Sequence, residues 1–334
     1  MRHCRSALSI GRRHWLVAAA GFTLTAGAQA QRTGKPVRVG WLGWTGAVGT
    51  SASAHALAAF RSGLAERGWA EGRDLELVQR EGDRPRSAAL ASELLALDIQ
   101  VLVAQGPMAF GAKTVTGAKP LVFSINGDPV EAGLVISLAR PGGHLTGVTA
   151  LSADLAAKRL ELLKEAMRKG TRVAVVANEV HPGVAIEREA TQAAALRLGL
   201  SVTWYPLKAP TDFGSVFAAI TRDGTDAILA IPDNLINREA RPMADFAAAL
   251  KVPSISGWSE FAEAGNLLSY GPNANAYYRQ MAAITDRILR GAQPADLAVE
   301  QARQIELVVN VKAARAIGLG LAPSLLLRAD RQIV

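Results

Sequence analysis

Short apolar runs rich in β-branched residues alternate with longer Ala- and Leu-rich stretches through most of the chain. A run at residues 37–42 comes first, and a helical stretch at 54–67 follows it. Strands that alternate with helices in this way form a parallel sheet covered by helices on both faces. In the first half the pattern predicts further strands at 75–79, 99–104 and 120–125 and helices at 86–97 and 108–116.

The same alternation restarts after residue 150. The predicted strands lie at 172–177, 201–205, 227–231 and 253–256, and the predicted helices at 153–168, 184–198, 212–220 and 238–250. Two similar α/β units in one chain predict a bilobal protein with a cleft between its lobes. No exact sequence repeat accompanies them, so the duplication is architectural.

The last segment, from residue 266 onward, departs from the regular alternation of strands and helices. Residues 266–272 are extended, and Asn273 is placed to cap a helix at 274–289. Two more extended runs follow, at 297–301 and 305–310.

The first thirty residues have the composition of an export leader. Arg2, Arg5, Arg12 and Arg13 precede an uncharged apolar run at 15–26, and small residues then allow cleavage near Ala30. The apolar run is shorter than the roughly 20 residues that cross a bilayer. The adjacent arginines fit either a Sec or a twin-arginine signal. Both routes lead out of the cytoplasm, and we expect the mature chain in the periplasm.

Removal of this leader changes what the composition implies. The only cysteine, Cys4, is lost with it, so the mature chain has no disulfide and no thiolate chemistry. The net charge falls from +8 to +4, because 33 basic residues then face 29 acidic ones. The composition of the mature chain therefore no longer indicates nucleic-acid binding. About 300 residues exceed what one hydrophobic core usually supports, and we expect two domains and no membrane-spanning segment.

Sequence motifs for catalysis, metals and cofactors are missing. The glycines at 40–46 are spaced G-x-x-G-x-x-G, which lacks the close pair that lets the backbone approach a pyrophosphate. The sequence contains no G-x-S-x-G nucleophile elbow. His55, His144 and His181 have no metal-ligand spacing, and we expect them in surface positions or loops. The sequence predicts a protein that is not an enzyme and has no cofactor or metal.

Polar and aromatic residues follow the predicted strands, at the edge where open α/β sheets bind ligands. Aromatic side chains can stack on a ring or face a cation, and amides and hydroxyls can orient a carboxylate or an ammonium group. The predicted ligand-binding residues are Trp44, Thr45, Gln105, Gly106, Asn126, Asp128, Asn178, Asp233, Asn234 and Trp258.

Each of these residues also has a purely structural interpretation. Asp128 before Pro129 is typical of a helix start, with Asp at the N-cap and Pro at the first helical position. The positions of Trp44 and Trp258 are as consistent with packing inside a loop as with stacking on a ligand. The position of Asp233 is as consistent with a residue that terminates a strand as with one that contacts a ligand.

Several blocks of sequence resemble one family. Residues 128–147 read D-P-V-E-A-G-L-V-I-S-L-A-R-P-G-G-H-L-T-G, and residues 158–165 read K-R-L-E-L-L-K-E. Further blocks lie, in order, at 63–75, 270–272, 288–297 and 306–310. Together they resemble the ABC-transporter substrate-binding proteins, in the group that includes tryptophan/tyrosine-type periplasmic binding proteins. His144 stands where that family usually has asparagine, and Trp69 where tyrosine is common.

This resemblance implies a class I periplasmic binding fold, in which two Rossmann-like parallel-sheet lobes are joined by three hinge crossings. The first lobe would comprise residues 31–148 plus 268–300, and the second 149–267 plus 301–334. A monomeric receptor would capture an amino acid or an aromatic or carboxylate-bearing solute in the cleft and close around it. It would deliver the solute to a membrane permease, which a separate ATPase powers. Two alternatives remain: a sensor that signals to a membrane receptor, and an exported α/β enzyme.

Overall fold

The computed structural model describes residues 35–45, 51–167, 169–181 and 183–334. The predicted leader, with its cleavage point near Ala30, lies outside the described residues, as does part of the glycine-rich loop at 40–46.

Within these ranges the chain forms thirteen strands and twelve α-helices. The strands are Val37–Trp44 (β1), Leu75–Gly82 (β2), Val101–Gln105 (β3), Leu121–Ile125 (β4), Leu145–Thr149 (β5), Arg172–Asn178 (β6), Ser201–Leu207 (β7), Ala227–Ala230 (β8), Ser254–Ser256 (β9), Leu268–Pro272 (β10), Glu300–Gln301 (β11), Ile305–Asn310 (β12) and Arg331–Ile333 (β13). The helices are Ser51–Ala65 (α1), Ser87–Leu95 (α2), Met108–Val115 (α3), Ala156–Ala166 (α4), Val184–Leu198 (α5), Phe213–Asp223 (α6), Asn234–Arg238 (α7), Ala240–Leu250 (α8), Ser259–Glu263 (α9), Ala274–Leu289 (α10), Val311–Ala316 (α11) and Pro323–Arg328 (α12).

The strands form two sheets. The first has the order β11-β5-β4-β3-β1-β2, and its neighbouring strands are all parallel. The second has the order β13-β12-β10-β9-β8-β6-β7, in which only the β10–β12 pair is antiparallel. We call the first sheet with α1–α3 and α10 the first lobe, and the second sheet with the other helices the second lobe.

Helices cover both faces of the first sheet. Trp41, Phe60 and Met281 pack on the face covered by α1 and α10, while Leu94 and Phe123 pack on the face covered by α2 and α3. Each of these side chains is fully buried. Burial of one such apolar side chain stabilises the fold by about 1.5–3 kcal/mol. The second lobe repeats the arrangement, with α4 and α5 on one face of its sheet and α6 and α8 on the other.

The chain passes between the two sheets three times. The first crossing, residues 150–151, follows β5; the second, Asn273, lies between β10 and α10; and the third, residues 302–304, lies between β11 and β12. The sequence predicts residues 268–300 in the first lobe, but β10 pairs with β9 and β12 of the second sheet. The second crossing therefore comes at Asn273, because residues 268–272 complete the ladder beside β9.

The helix predicted to start at Asp128 does not form. Asp128 Oδ1 accepts hydrogen bonds from the backbone N–H groups of Val130 (2.7 Å) and Glu131 (3.4 Å), so the capping interaction itself is present. Residues 129–133 nevertheless form only turns, and Gly133 has a φ of +70°. A left-handed glycine at that point stops a helix from extending.

No helix within the described residues is both long enough and apolar enough to cross a membrane.

Candidate ligand-binding site between the two sheets

A cavity of about 230 Å³ lies between the carboxyl ends of the strands of both sheets. This volume is just below the range of about 300–1,000 Å³ for pockets that bind drug-sized ligands. Thr45 and Asn178, predicted as ligand contacts, do not line it. The other eight predicted site residues do: Trp44, Gln105, Gly106, Asn126, Asp128, Asp233, Asn234 and Trp258.

Gln105 positions the wall that the first lobe contributes. Its Oε1 accepts a hydrogen bond from the Trp44 backbone N–H (3.1 Å), and its Nε2 donates to the Tyr278 hydroxyl oxygen (2.8 Å). Burial raises the pKa of Tyr278 to about 12, so the phenol is neutral near pH 7. Because both ends of the amide are bound within the protein, Gln105 holds Trp44 and Tyr278 in place.

Aromatic rings from both lobes form much of the cavity surface. Trp258 of the second lobe packs edge-on against Tyr277 of the first, with ring centroids 6.2 Å apart. Tyr277 packs in the same way on Tyr278 at 5.5 Å, and its hydroxyl oxygen accepts the Ile125 backbone N–H at 3.1 Å. Tyr277 and Tyr278 lie in the first turns of α10. The sequence did not identify them, because only the return of α10 to the first lobe brings them to the cavity.

A buried carboxylate lies on the side of the second lobe. Asp233 is 4% exposed, and its Oδ1 accepts hydrogen bonds from Asn178 Nδ2 (3.0 Å) and from the Leu235 backbone N–H (2.7 Å). In the part of the chain that the structure describes, both bonds to this carboxylate go to Oδ1, which leaves Oδ2 for a ligand. Asn178 therefore orients Asp233 from behind the cavity.

The N-terminus of α5 reaches the cavity without a capping side chain. Gly183 occupies the N-cap position, and Ala185 and Ile186 of the first turn line the cavity. Backbone N–H groups at these positions have no partner within the helix, and the helix dipole favours an anion there. His181 also lines the cavity, although the sequence predicts only a loop position for it. Its Nδ1 accepts the Gly183 N–H at 3.2 Å, which places the ring proton on Nε2.

The two lobes touch at one rim of this cavity. Gly127 follows β4 in the first lobe, and Gly183 begins α5 in the second. A Cβ atom on Gly127 would lie 3.7 Å from the Gly183 Cα, which is ordinary van der Waals contact. The arrangement is therefore closed along this rim.

Within the described ranges, no cluster of three or more histidine, cysteine or acidic side chains is arranged to hold a metal ion.

Glu260 lies two residues beyond Trp258, and we predict that it makes folding stability depend on pH. Its Oε2 is buried without a hydrogen-bond partner, and burial raises the pKa of the carboxyl, as do the nearby charges of Glu263 and Glu306. A raised folded-state pKa contributes stability below the unfolded pKa, and that contribution is lost as the pH rises through the folded value. Glu260→Gln should therefore increase the free energy of unfolding at pH 7 by about 1 kcal/mol and reduce its decline above pH ~4.5.

Urea denaturation between pH 4 and pH 8 measures this effect. Glu93→Gln is the matched control, because Glu93 is 51% exposed in its ion pair with Arg80 and is not among the charges that act on Glu260. An unchanged pH profile for Glu260→Gln would show that the Glu260 carboxyl titrates normally.

Comparison with known proteins agrees with this geometry. The model of the ABC transporter substrate binding protein family matches residues 47–333. A tyrosine-binding protein of Clostridioides difficile (strain R20291) is 24% identical over 265 residues, which cover 78% of this chain and 75% of that protein.

Two solved structures match 89% of this chain and 100% of their own length. A conserved domain protein from Vibrio cholerae is 26% identical with a TM-score of 0.81, and an ABC domain in complex with L-Trp from Streptococcus pneumonia is 24% identical with a TM-score of 0.80. The predicted class I periplasmic binding fold is confirmed. The chain belongs to the ABC transporter substrate binding protein family.

Proposed function

We propose that this chain captures an aromatic amino acid outside the cytoplasm and delivers it to the permease of an ABC importer. One observation carries the proposal: a single small cavity combines a buried carboxylate, an uncapped helix N-terminus and several aromatic rings. These are the three kinds of group that complement the ammonium, the carboxylate and the side chain of such a ligand.

The polar part of the cavity suits a zwitterion. Asp233 Oδ2 is placed to accept a hydrogen bond from an ammonium group, and charge-assisted hydrogen bonds of this kind are the strong ones. The N–H groups of Ala185 and Ile186 can donate to a carboxylate, which the helix dipole also favours. A ligand with only one of the two charges would leave the other protein group without a partner.

The apolar part of the cavity suits a flat ring. Trp44 and Phe110 line it from the first lobe, and Trp258 lines it from the second. Aromatic rings in contact gain about 0.5–1.5 kcal/mol beyond the area that they bury. The tyrosine-binding relative and the L-Trp complex support the same ligand class.

Capture and closure are coupled in this account. The carboxylate and the helix N-terminus belong to the second lobe, and Trp44 and Tyr278 belong to the first, so one ligand contacts both lobes only when they are closed. A ligand shifts the equilibrium toward the closed form by its extra affinity for that form. The closed monomer is then the form that the permease receives in the periplasm. None of these steps requires a cofactor or changes the ligand covalently.

A thermal-shift screen tests the ligand class. L-Tryptophan, L-tyrosine and L-phenylalanine should raise the melting temperature by roughly 5 °C at 100 times their Kd, which corresponds to about 2.7 kcal/mol of stabilisation. L-Glutamate, L-lysine and benzoate should have little effect, because each lacks either the ring or one of the two charges that the site complements. A shift with benzoate and none with any amino acid would contradict the zwitterion assignment.

A further inference from the structure

Arg159 of α4 is a charged side chain with almost no access to solvent, since only 1% of its surface is exposed. Its Nε donates to the Tyr270 carbonyl oxygen at 2.9 Å. Its Nη1 donates to both the carbonyl oxygen and the Oγ of Ser152, each at 3.1 Å. The nearest acidic group is Glu187 of α5, with its Oε2 at 3.9 Å from Nη1; burial raises the pKa of this carboxyl, and the charge of Arg159 opposes that shift. Burial lowers the pKa of Arg159 to about 10, so the guanidinium stays charged near pH 7.

The partners of Arg159 come from segments that are far apart in sequence and meet beside the cavity. Ser152 directly follows the first crossing, and Tyr270 lies in β10 just before the second. Glu187 is in the helix whose N-terminus lines the cavity. Gly257 directly precedes Trp258, and a Cβ atom there would lie 3.0 Å from the Arg159 Nη2. One guanidinium thus contacts residues beside two hinge crossings, the cavity helix and the segment that carries a cavity tryptophan.

The first crossing also contains strained backbone. Leu151 has φ 42° and ψ 57°, a left-handed conformation that is rare for a bulky residue. Such strain persists only where the surroundings fix it. On one side Ser152 N–H donates to the carbonyl oxygen of cavity-lining Asn126 at 2.8 Å. On the other side Arg159 holds the carbonyl oxygen and the hydroxyl of the same Ser152.

We propose that Arg159 is a positioning residue. It holds Ser152 and Tyr270, the second-lobe residues beside the first two hinge crossings, so that the lobes close with the cavity correctly formed. It does not line the cavity itself. Arginine suits this place because its planar group carries five donors in a fixed fork, whereas lysine concentrates three donors on one atom. Lysine at this position keeps the charge but cannot reach Ser152 and Tyr270 with the same geometry.

The test separates closure from folding. Spin labels at Ile136→Cys and Val180→Cys, in a Cys4→Ser background, report the distance between the lobes, because these exposed residues belong to different lobes. Arg159→Lys should lower the affinity for L-tryptophan about tenfold and lower the ratio of closed to open molecules by a similar factor. Glu187→Gln, which keeps the side-chain size, should change both quantities in the same direction. Arg241→Lys, an identical exchange at a residue that is 74% exposed, is the control and should change neither.

A merely structural role would move only the melting temperature. If Arg159→Lys and Glu187→Gln keep the wild-type distance distribution and an affinity within about twofold, the proposal is wrong. The proposal rests on the proposed function only through its probe, L-tryptophan. Should the wild type fail to bind that probe, the proposed ligand class falls, and the distances measured without ligand still decide whether Arg159 controls closure.

Discussion

Replacing Asp233 with asparagine should lower the affinity for an aromatic amino acid about a hundredfold, which equals about 2.7 kcal/mol. The exchange removes the negative charge that faces the ligand ammonium. The fold should survive, because the asparagine oxygen can still accept from Asn178 Nδ2 and from the Leu235 N–H that it caps. Titration calorimetry with L-tryptophan measures the loss.

A ligand without the ammonium group provides the internal control for this variant. Indole-3-propionate keeps the ring and the carboxylate but lacks the ammonium group, so it should bind the wild type weakly, and Asp233→Asn should not weaken that binding further. Asp245→Asn, at an exposed position of α8 paired with Arg241, should leave L-tryptophan binding unchanged. Wild-type affinity of Asp233→Asn for L-tryptophan would show that another group binds the ammonium.

Replacing Trp258 with alanine should lower the same affinity about thirtyfold, because the ligand loses an aromatic contact that contributes about 2 kcal/mol. Trp44→Ala should have a similar effect from the first lobe. Both tryptophans are half-buried, so neither variant should unfold the protein. Trp204→Ala is the matched control, because Trp204 lies outside the cavity lining, beneath the Arg188 guanidinium at 4.8 Å. If Trp44→Ala and Trp258→Ala both bind L-tryptophan normally, the site is assigned to the wrong cavity.

The sequence predicts most of the strands because buried parallel strands are continuous apolar runs. Strands β3 and β4 are buried at every position, and their β-branched runs identify them at once. Strand β5 is just as buried but escapes prediction, because its five residues include two threonines and a glycine. Gly147 is there because a Cβ atom would lie 2.1 Å from the Phe123 carbonyl oxygen of the neighbouring strand. That requirement comes from strand pairing, which periodicity does not reveal.

The residues of the candidate site also fall into two groups: those that the sequence predicts and those that it does not. Trp44, Gln105 and Asp233 lie at or just after the ends of individual strands. Because ligands bind at the carboxyl ends of parallel strands, the sequence predicts these residues. The N-terminus of α5 carries no side-chain signal, since its cavity donors are backbone N–H groups of alanine and isoleucine. Tyr278 belongs to a helix that the chain reaches only after crossing back to the first lobe. Backbone donors and lobe crossings follow from tertiary structure, and local sequence patterns do not contain them.

Titration calorimetry of the wild-type protein with L-tryptophan and L-tyrosine tests the central claim most directly. We expect a saturable isotherm with one site per chain and a Kd of roughly 1 μM or lower for at least one of the two. Asp233→Asn should reduce this affinity strongly, and the ligand should be recovered unchanged. Absence of heat with both amino acids, together with saturable binding of a solute that lacks an ammonium group, would contradict the central claim.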